Sequence, residues 1–140
     1  MPSLVGSEMC IRARAWISRG DNFGPGVEYT VRSTPLFVDG VLYTVVGQRR
    51  QVVAIDAATG EQVWKTFVIR EAPVRTRTNA AGAQNWGPSG AGVWSAPTLD
   101  PGRNLLYVAT GDAYSDPAAP ESDAIVALTM DTGEIRWVQQ

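Results

Sequence analysis

Short apolar runs separated by turn-forming residues follow one another along most of the chain, and helical periodicity is absent. Runs of this kind, rich in β-branched residues and bounded by Gly, Pro, Asn or Asp, predict β-strands. The clearest example is Leu36–Val38 followed by Val41–Val46, because the intervening Asp39-Gly40 dipeptide is typical of a two-residue hairpin loop. The pattern therefore predicts an all-β chain.

One stretch of this pattern occurs twice. Ala54–Trp64 and Ala127–Trp137 agree at the alanine, the Thr-Gly pair, the glutamate and the tryptophan. The glycine supplies a turn conformation that residues with a Cβ resist, and the tryptophan presents a large apolar surface that needs a partner. Self-similarity on this scale predicts stacked units instead of one globular core. We expect each tryptophan to pack against the next copy.

Each copy predicts four strands. They are Leu36–Val38, Val41–Val46, Val52–Ile55 and Gln62–Val68 in residues 33–68, and Pro97–Leu99, Leu105–Ala109, Ala124–Thr129 and Ile135–Val138 in residues 95–140. Repeated four-stranded antiparallel units are typical of the blades of a β-propeller. The predicted fold is therefore all-β, a partial β-propeller of two such blades, with a two-sheet sandwich as the alternative. Two blades leave sheet edges uncovered, so we expect a piece of a longer propeller or self-association that completes the ring.

Two segments lie outside the repeats. Residues 1–32 predict a lead-in with one short strand at Ala13–Ser18, its Trp pointing inward, and a loop at Asn22–Gly26. Residues 69–94 predict a Gly- and Trp-rich loop between the blades, without periodicity. A long connection in a compact β protein is usually functional or disordered. A phosphate-binding P-loop is excluded there because no Lys-Ser/Thr pair follows the glycines.

Composition removes several classes of site. The 140 residues carry 12 Lys/Arg and 14 Asp/Glu, a net charge of -2, which gives no indication of a nucleic-acid partner. The absence of His excludes a His-based catalytic triad and haem attachment through Cys-x-x-Cys-His. Cys10 is the single cysteine and cannot form an internal disulfide. The sequence has neither an apolar run of about 18 residues, as a membrane span requires, nor the apolar region of a secretory signal at its start.

The pattern Ala-x-Asp-x-x-Thr-Gly-x-x-x-Trp, complete at Ala54–Trp64, resembles the tryptophan-docking motif of the eight-bladed quinoprotein propellers. These are the pyrroloquinoline quinone (PQQ)-dependent dehydrogenases and their non-catalytic relatives. In the second copy Thr129 stands at the Asp position of the motif. Residues 22–64 look like the first blades of the glucose- and alcohol-oxidising members. Residues 79–140, with NAAGAQNWGPSGAGVWSAPTLDP and LLYVATGDAYSDP, look like the polyvinyl-alcohol dehydrogenase branch.

The resemblance implies a cofactor site. In such enzymes a planar quinone lies on a Trp ring in the propeller channel, and a calcium ion polarises its reactive carbonyl. Trp94, in the sequence VWSAP, matches the stacking Trp, and Gly92 precedes it in the same cofactor-binding stretch. Asp112, in ATGD, matches an Asn that ligates calcium, and a carboxylate is a ligand that calcium accepts. The other interpretations are a packing role for Trp94 and a turn role for Asp112.

The resemblance also implies a carboxylate that takes the alcohol proton as hydride passes to the quinone. The insertion before the third strand of the second blade holds Asp116, Glu121 and Asp123, and we choose Asp123 as the base. The pairs Arg49-Arg50 and Arg75-Arg77 either meet quinone carboxylates through charge-assisted bonds or are solvated loop residues. The neighbouring-cysteine disulfide ring of the family is absent from this chain.

The predicted function is therefore part of a PQQ-dependent dehydrogenase that oxidises small alcohols, polyols or sugars, with calcium assistance and a cytochrome or quinone as electron acceptor. Periplasmic residence follows from the resemblance alone. The alternatives are a non-catalytic propeller that acts as a binding scaffold and an incomplete fragment without activity. Gln84–Trp94 together with Asp112 favours the enzyme, since a scaffold does not need a Gly- and Trp-rich channel loop.

Overall fold

The computed structural model describes residues 15–17, 33–47 and 50–140. The strands in these residues are β1 (Leu36–Val38), β2 (Val41–Val46), β3 (Gln51–Asp56), β4 (Gln62–Phe67), β5 (Val74–Thr78), β6 (Gln84–Gly87), β7 (Thr98–Asp100), β8 (Leu105–Ala109), β9 (Ile125–Thr129) and β10 (Ile135–Gln139). A short 3₁₀ turn, Pro101–Arg103, joins β7 to β8. The eight strands predicted for the two repeats are confirmed, with ends shifted by no more than one residue.

The strands form two four-stranded antiparallel sheets, β1-β2-β3-β4 and β7-β8-β9-β10, and a two-stranded sheet, β5-β6. In each large sheet every strand pairs with the next strand along the chain, as in a propeller blade. The Greek-key connections of an immunoglobulin-like sandwich would exchange strands between the sheets. The described residues contain no such exchange, so the sandwich alternative does not fit.

The two sheets repeat each other in register as well as in order. Ala54 pairs with Tyr43 and Trp64, and Ala127 pairs with Tyr107 and Trp137. A small residue opposite the tryptophan leaves space for the rings of each sheet to meet. Their centroids are 6.1 Å apart in the first sheet and 5.8 Å apart in the second, both in a tilted geometry. Each repeat therefore contains the same Tyr–Trp pair on its sheet.

The main hydrophobic core lies between the two large sheets. Its buried members are Tyr43, Val45, Val52, Ala54, Trp64 and Val68 near the first sheet, Leu106, Val108, Val126, Leu128 and Met130 near the second, and Ala91 and Val93 from the connection. Val53 and Ile55 form a second cluster, against which Trp16 packs. Because β3 contributes to both clusters, its four central residues, Val52–Ile55, are all apolar instead of alternating.

Trp64 contacts the turn of the following repeat. Its Nε1 donates a hydrogen bond of 2.8 Å to the carbonyl of Met130. Its ring lies against Gly133, where a Cβ would be 2.6 Å from Trp64 Cδ2. Trp16 makes the same two contacts with the turn of the first repeat, since its Nε1 donates to the carbonyl of Ala57 at 2.8 Å and its Cδ2 lies 2.6 Å from a Cβ built on Gly60.

The two turns have the same backbone bonds but different side chains at their first position. Asp56 Oδ1 accepts hydrogen bonds from the amides of Ala58 at 2.9 Å and Thr59 at 2.8 Å. Thr129 takes the equivalent position in the second repeat, and its hydroxyl accepts from the amide of Glu134 at 3.1 Å. A hydroxyl therefore replaces the carboxylate without loss of the turn, which accounts for the departure from the pattern in the second copy.

Asp56 makes the first turn sensitive to pH. The amide donors from Thr59 and Ala58 hold the pKa of its carboxyl below its ordinary value. Its contribution to stability is therefore present above the unfolded-state pKa of about 3.9 and is lost as the pH falls through the lower folded-state pKa. Thermal unfolding of the native chain and of Asp56→Thr, measured between pH about 5 and about 2, should show midpoints that converge toward low pH. Parallel curves would contradict this assignment.

The hairpin β5-β6 was not predicted by the sequence pattern. Every residue of β5 is exposed, so neither face is buried and no apolar alternation marks the strand. The turn is held by Asn79, whose Oδ1 accepts from the amides of Ala81 at 3.0 Å and Ala83 at 2.9 Å. Residues 69–94 are thus partly a two-stranded sheet and not wholly a loop.

Several expectations concern residues outside the described ranges. They concern Cys10, most of the lead-in strand at Ala13–Ser18, the loop at Asn22–Gly26, and Arg49. Among the described residues, no helix is long and apolar enough to cross a membrane.

Candidate functional site

The end of the connection lies beside the residues that follow β8. Gly111 N donates to Gly92 O at 2.9 Å, and Ala91 N donates to Asp112 O at 3.0 Å. Isolated antiparallel bridges join Val93 to Thr110 and Gly90 to Ala113. The segment that carries Gly92 and Trp94 is therefore fixed directly alongside the segment that carries Asp112.

Trp94 lies over two glycines at this junction. A Cβ built on Gly111 would be 3.2 Å from Trp94 Nε1, and one built on Gly92 would be 3.3 Å from the same atom. The absence of side chains at these positions lets the indole approach the backbone closely. The Trp94 side chain remains 46% exposed. An indole that lies against backbone and keeps about half of its surface exposed offers part of a flat apolar ring to a planar ligand.

The two candidate carboxylates adjoin the same glycine. Asp112 follows Gly111 in the chain, and Asp123 N donates to Gly111 O at 2.9 Å. Both aspartates are exposed. Asp123 has φ of 50°, in the left-handed region that Asp tolerates better than most residues. The backbones of Gly92, Trp94, Asp112 and Asp123 therefore meet around Gly111.

The Asp123 side chain does not face Trp94 directly. It lines an open cavity of about 440 Å³ together with Thr110, Gln139 and Gln140, and the lining residues of that cavity do not include Trp94. The structure therefore brings together the backbones of the candidate base and the candidate stacking residue but leaves their side chains in different surroundings.

Thr110 holds the insertion that carries Asp123. Its Oγ1 donates to Glu121 O at 2.6 Å and accepts from Ala124 N at 3.0 Å. Both ends of this short segment are thereby tied to the end of β8, on either side of Asp123. Sequence reasoning missed Thr110, although its place between the last residue of β8 and Gly111 in ATGD was visible.

Glu121, an alternative candidate for the base, is buried at 2% exposure. Its Oε1 accepts a hydrogen bond from Arg70 Nε at 2.6 Å, in an ion pair with an exposed partner. A carboxylate that is enclosed and paired in this way is a structural link between the insertion and the connection after β4. The other alternative, Asp116, lines a different groove with Trp86 and Tyr114.

The described residues fit the two implied cofactors unequally. The half-exposed indole above Gly92 and Gly111 fits a planar quinone. In the described ranges, no group of three or more Asp, Glu, His or Cys side chains is placed to hold a metal ion. Calcium takes about six to eight oxygen ligands, so Asp112 does not by itself make a calcium site. The guanidinium of Arg75 lies 5.4 Å from the centroid of the Trp86 ring and is engaged there.

Comparison with known proteins places the chain among quinoproteins. Residues 13–76 and 66–140 match the family model described as PQQ glucose/ethanol/alcohol dehydrogenase, beta-propeller domain. The chain is 36% identical over 132 residues to a polyvinylalcohol dehydrogenase of a Pseudomonas species, covering 83% of this chain and 20% of that protein. It is 44% identical over 92 residues to the polyvinylalcohol dehydrogenase of a Sphingopyxis species, covering 66% of this chain and 14% of that protein.

Solved structures give the same fold. Quinohemoprotein alcohol dehydrogenase ADHIIG from Pseudomonas putida HK5 matches with a TM-score of 0.59 at 24% identity, over 80% of this chain and 20% of that one. The enzyme from Comamonas testosteroni matches with a TM-score of 0.54 at 22% identity, over 79% and 20%. The chain thus spans a fifth or less of the relatives named above. Together with the β-propeller family model, these matches confirm the predicted partial propeller.

Proposed function

Because this chain belongs to the PQQ-dependent glucose/ethanol/alcohol dehydrogenase family through its β-propeller domain, we propose that it forms part of a dehydrogenase that oxidises alcohol groups. The observation that carries the proposal is the half-exposed indole of Trp94 above Gly92 and Gly111. The two polyvinylalcohol dehydrogenases that are 36% and 44% identical to this chain act on a polyol by name, which favours a polyol as substrate.

The proposed role of Trp94 is to support the flat face of PQQ, which accepts hydride from the alcohol when it is bound. Glycine at positions 92 and 111 keeps the indole close to the backbone and therefore fixed in orientation. A pre-positioned ring loses little conformational freedom on binding, so more of the stacking energy contributes to affinity. This arrangement favours the enzyme over the scaffold, because a scaffold does not need a partly exposed indole supported in this way.

The two exposed aspartates beside Gly111 take the polar roles in this proposal. Asp112 supplies one carboxylate oxygen to calcium, and the other ligands come from residues other than those described. Asp123 accepts the proton of the alcohol, and its backbone is held between the two bonds of Thr110. A base must lie about 2.6–3.2 Å from the proton donor, so the Asp123 carboxylate has to turn from its cavity toward the ring.

The reaction also needs an acceptor for the electrons of the reduced quinone. We propose a cytochrome or a quinone in the periplasm for that role. The alcohol dehydrogenases of Pseudomonas putida and Comamonas testosteroni that the chain resembles are quinohemoproteins by name, which supports a haem acceptor in that family. The 140 residues contain no His for a Cys-x-x-Cys-His attachment.

Replacement of Trp94 by alanine tests the proposal. Equilibrium dialysis of the chain against PQQ with calcium, read by quinone absorbance, should give saturable binding that Trp94→Ala weakens at least about fivefold, since loss of an aromatic stacking surface costs about 1–3 kcal/mol. Trp137→Ala is the matched control, because that tryptophan is exposed to a similar extent, at 43%, and lies on β10. Equal affinities for Trp94→Ala and the native chain, or no binding by the folded chain, would overturn the proposal.

A further inference from the structure

A second groove lies between the hairpin β5-β6 and the loop after β8. Its volume is about 540 Å³, within the range of about 300–1,000 Å³ that is usual for small-molecule sites. Trp86 of β6 lines one side and Tyr114 lines the other. The amide of Tyr114 donates to Ser89 O at 2.8 Å, so the loop is attached to the chain just beyond β6.

Both aromatic side chains of the groove are exposed, Trp86 at 51% and Tyr114 at 59%. The guanidinium of Arg75 lies 5.4 Å from the centroid of the Trp86 ring, so one part of the indole surface has a cationic neighbour on the hairpin. Cation–π contact of this kind restricts the ring orientation at little cost. Two exposed aromatic rings that line one concave surface form a contiguous apolar patch, and patches of this kind mark binding grooves.

The polar lining has no net charge. Arg77 contributes one positive charge and Asp116 one negative charge, and Gln84 and Asn85 contribute amides. The amide nitrogen of Gln84 donates to the backbone at Asn85 O at 2.9 Å, and no hydrogen bond to its amide oxygen is found among the described residues. The lining residues therefore present both donors and acceptors and carry no net charge of their own. Arg75 adds one positive charge beside Trp86.

One hydroxyl in the lining lacks a partner. Ser115 Oγ is buried and makes no hydrogen bond with any described residue. It lies beside Gly87, where a Cβ would be 2.6 Å from this oxygen. A buried polar atom without a partner costs about 1–3 kcal/mol, and a turn of the Ser115 side chain toward a ligand hydroxyl in the groove would recover part of that cost.

We propose that this groove binds a neutral polyhydroxylated chain, a segment of an oligomeric or polymeric alcohol at a distance from the reacting carbon. The C–H surfaces of such a chain pack on Trp86 and Tyr114, and its hydroxyls pair with the Arg77, Asn85 and Asp116 side chains. The inference rests on the proposed function for the identity of the ligand.

The groove is close enough to Trp94 for one long substrate to contact both. Trp86 and Trp94 are the two ends of one stretch of chain, which spans at most about 26 Å when extended. A monomeric alcohol occupies only the end at Trp94, whereas an oligomer of several repeat units extends toward the groove. Binding energy from this remote contact then retains the polymer while one of its alcohol carbons reacts.

Calorimetric titration of the chain with a short polyvinyl alcohol oligomer, without PQQ or calcium, tests the inference. The expected result is saturable binding that the double replacement Trp86→Ala with Tyr114→Ala weakens at least tenfold. Phe37→Ala, which removes an exposed aromatic side chain from β1, should leave the affinity unchanged. A polyacrylate of the same length should bind at least tenfold more weakly than the alcohol oligomer.

Two outcomes would overturn the inference. One is equal affinity of the native chain and the double variant, or no saturable binding by a chain that circular dichroism shows to be folded. The other is equal or tighter binding of polyacrylate, since the groove would then select for charge and not for hydroxyls. Because the titration contains no cofactor, failure here does not affect the proposed function, which PQQ dialysis of Trp94→Ala tests separately.

Discussion

Gly133→Ala is expected to lower the free energy of unfolding by roughly 2–5 kcal/mol. Gly133 has φ of 72°, and a left-handed conformation costs a residue with a Cβ about 1–2 kcal/mol. The added methyl would also lie 2.6 Å from Trp64 Cδ2, in a ring that is buried and hydrogen-bonded to Met130. Overpacking of this kind costs about a further 1–3 kcal/mol, because the ring cannot move without losing its bond.

Gly40→Ala separates the two causes. Gly40 also has a positive φ, 84°, but a Cβ there has no atom within 4 Å. It should therefore lose only the conformational part, about 1–2 kcal/mol. Urea unfolding, followed by tryptophan fluorescence and by circular dichroism, gives both values. If Gly133→Ala lost no more stability than Gly40→Ala, the packing of Trp64 on the second turn would not contribute as described.

Arg70→Met is expected to lower the free energy of unfolding by about 2–4 kcal/mol. The variant leaves the Glu121 carboxylate buried without its cation, and breaking one side of a buried pair costs about 3–5 kcal/mol when both partners are enclosed. Because Arg70 is exposed, we expect a smaller loss here than for a pair in which both partners are buried. The Glu121 backbone also accepts from Thr110, so the loss should loosen the segment that carries Asp123.

Two further variants measure what the Arg70–Glu121 ion pair contributes to stability. Arg70→Met combined with Glu121→Gln removes the stranded charge and should recover at least half of the loss. Arg103→Met breaks a pair with Asp100 of similar length, 2.8 Å, on an exposed turn, and surface pairs contribute about 0–1 kcal/mol. Equal losses in Arg70→Met and Arg103→Met would show that burial of Glu121 adds nothing to the pair.

The strands of the repeats were predictable because their signals are local. Asp39-Gly40 marks a hairpin by its own backbone preference, and the buried faces of β3 and β9 appear directly as apolar runs. The hairpin β5-β6 has no such signal, since its strand β5 buries neither face. Its turn depends on Asn79 side-chain bonds within five residues, which a periodicity argument does not detect.

The residues of the candidate site were predicted from the resemblance, and the structure places their backbones around Gly111. The supporting contacts were not predictable. Arg70 and Glu121 are 51 positions apart in the chain, and no local pattern indicates that they pair. The burial of Glu121 likewise depends on how the insertion folds back on Thr110. Roles of Trp94, Asp112 and Asp123 in binding or catalysis stay predictions until the variants described above are measured.

Trp16 and Trp64 each pack on the turn of a repeat in the same way, and this equivalence has a consequence for how the chain unfolds. Units joined to their neighbours by equivalent contacts behave as a one-dimensional array, in which total stability is approximately the sum of the intrinsic stabilities of the units and of nearest-neighbour coupling terms. Weakening one coupling does not lower every unit equally but divides the array at that point. A defect between Trp64 and Gly133 should therefore broaden the unfolding transition, so that Gly133→Ala unfolds less cooperatively than Gly40→Ala.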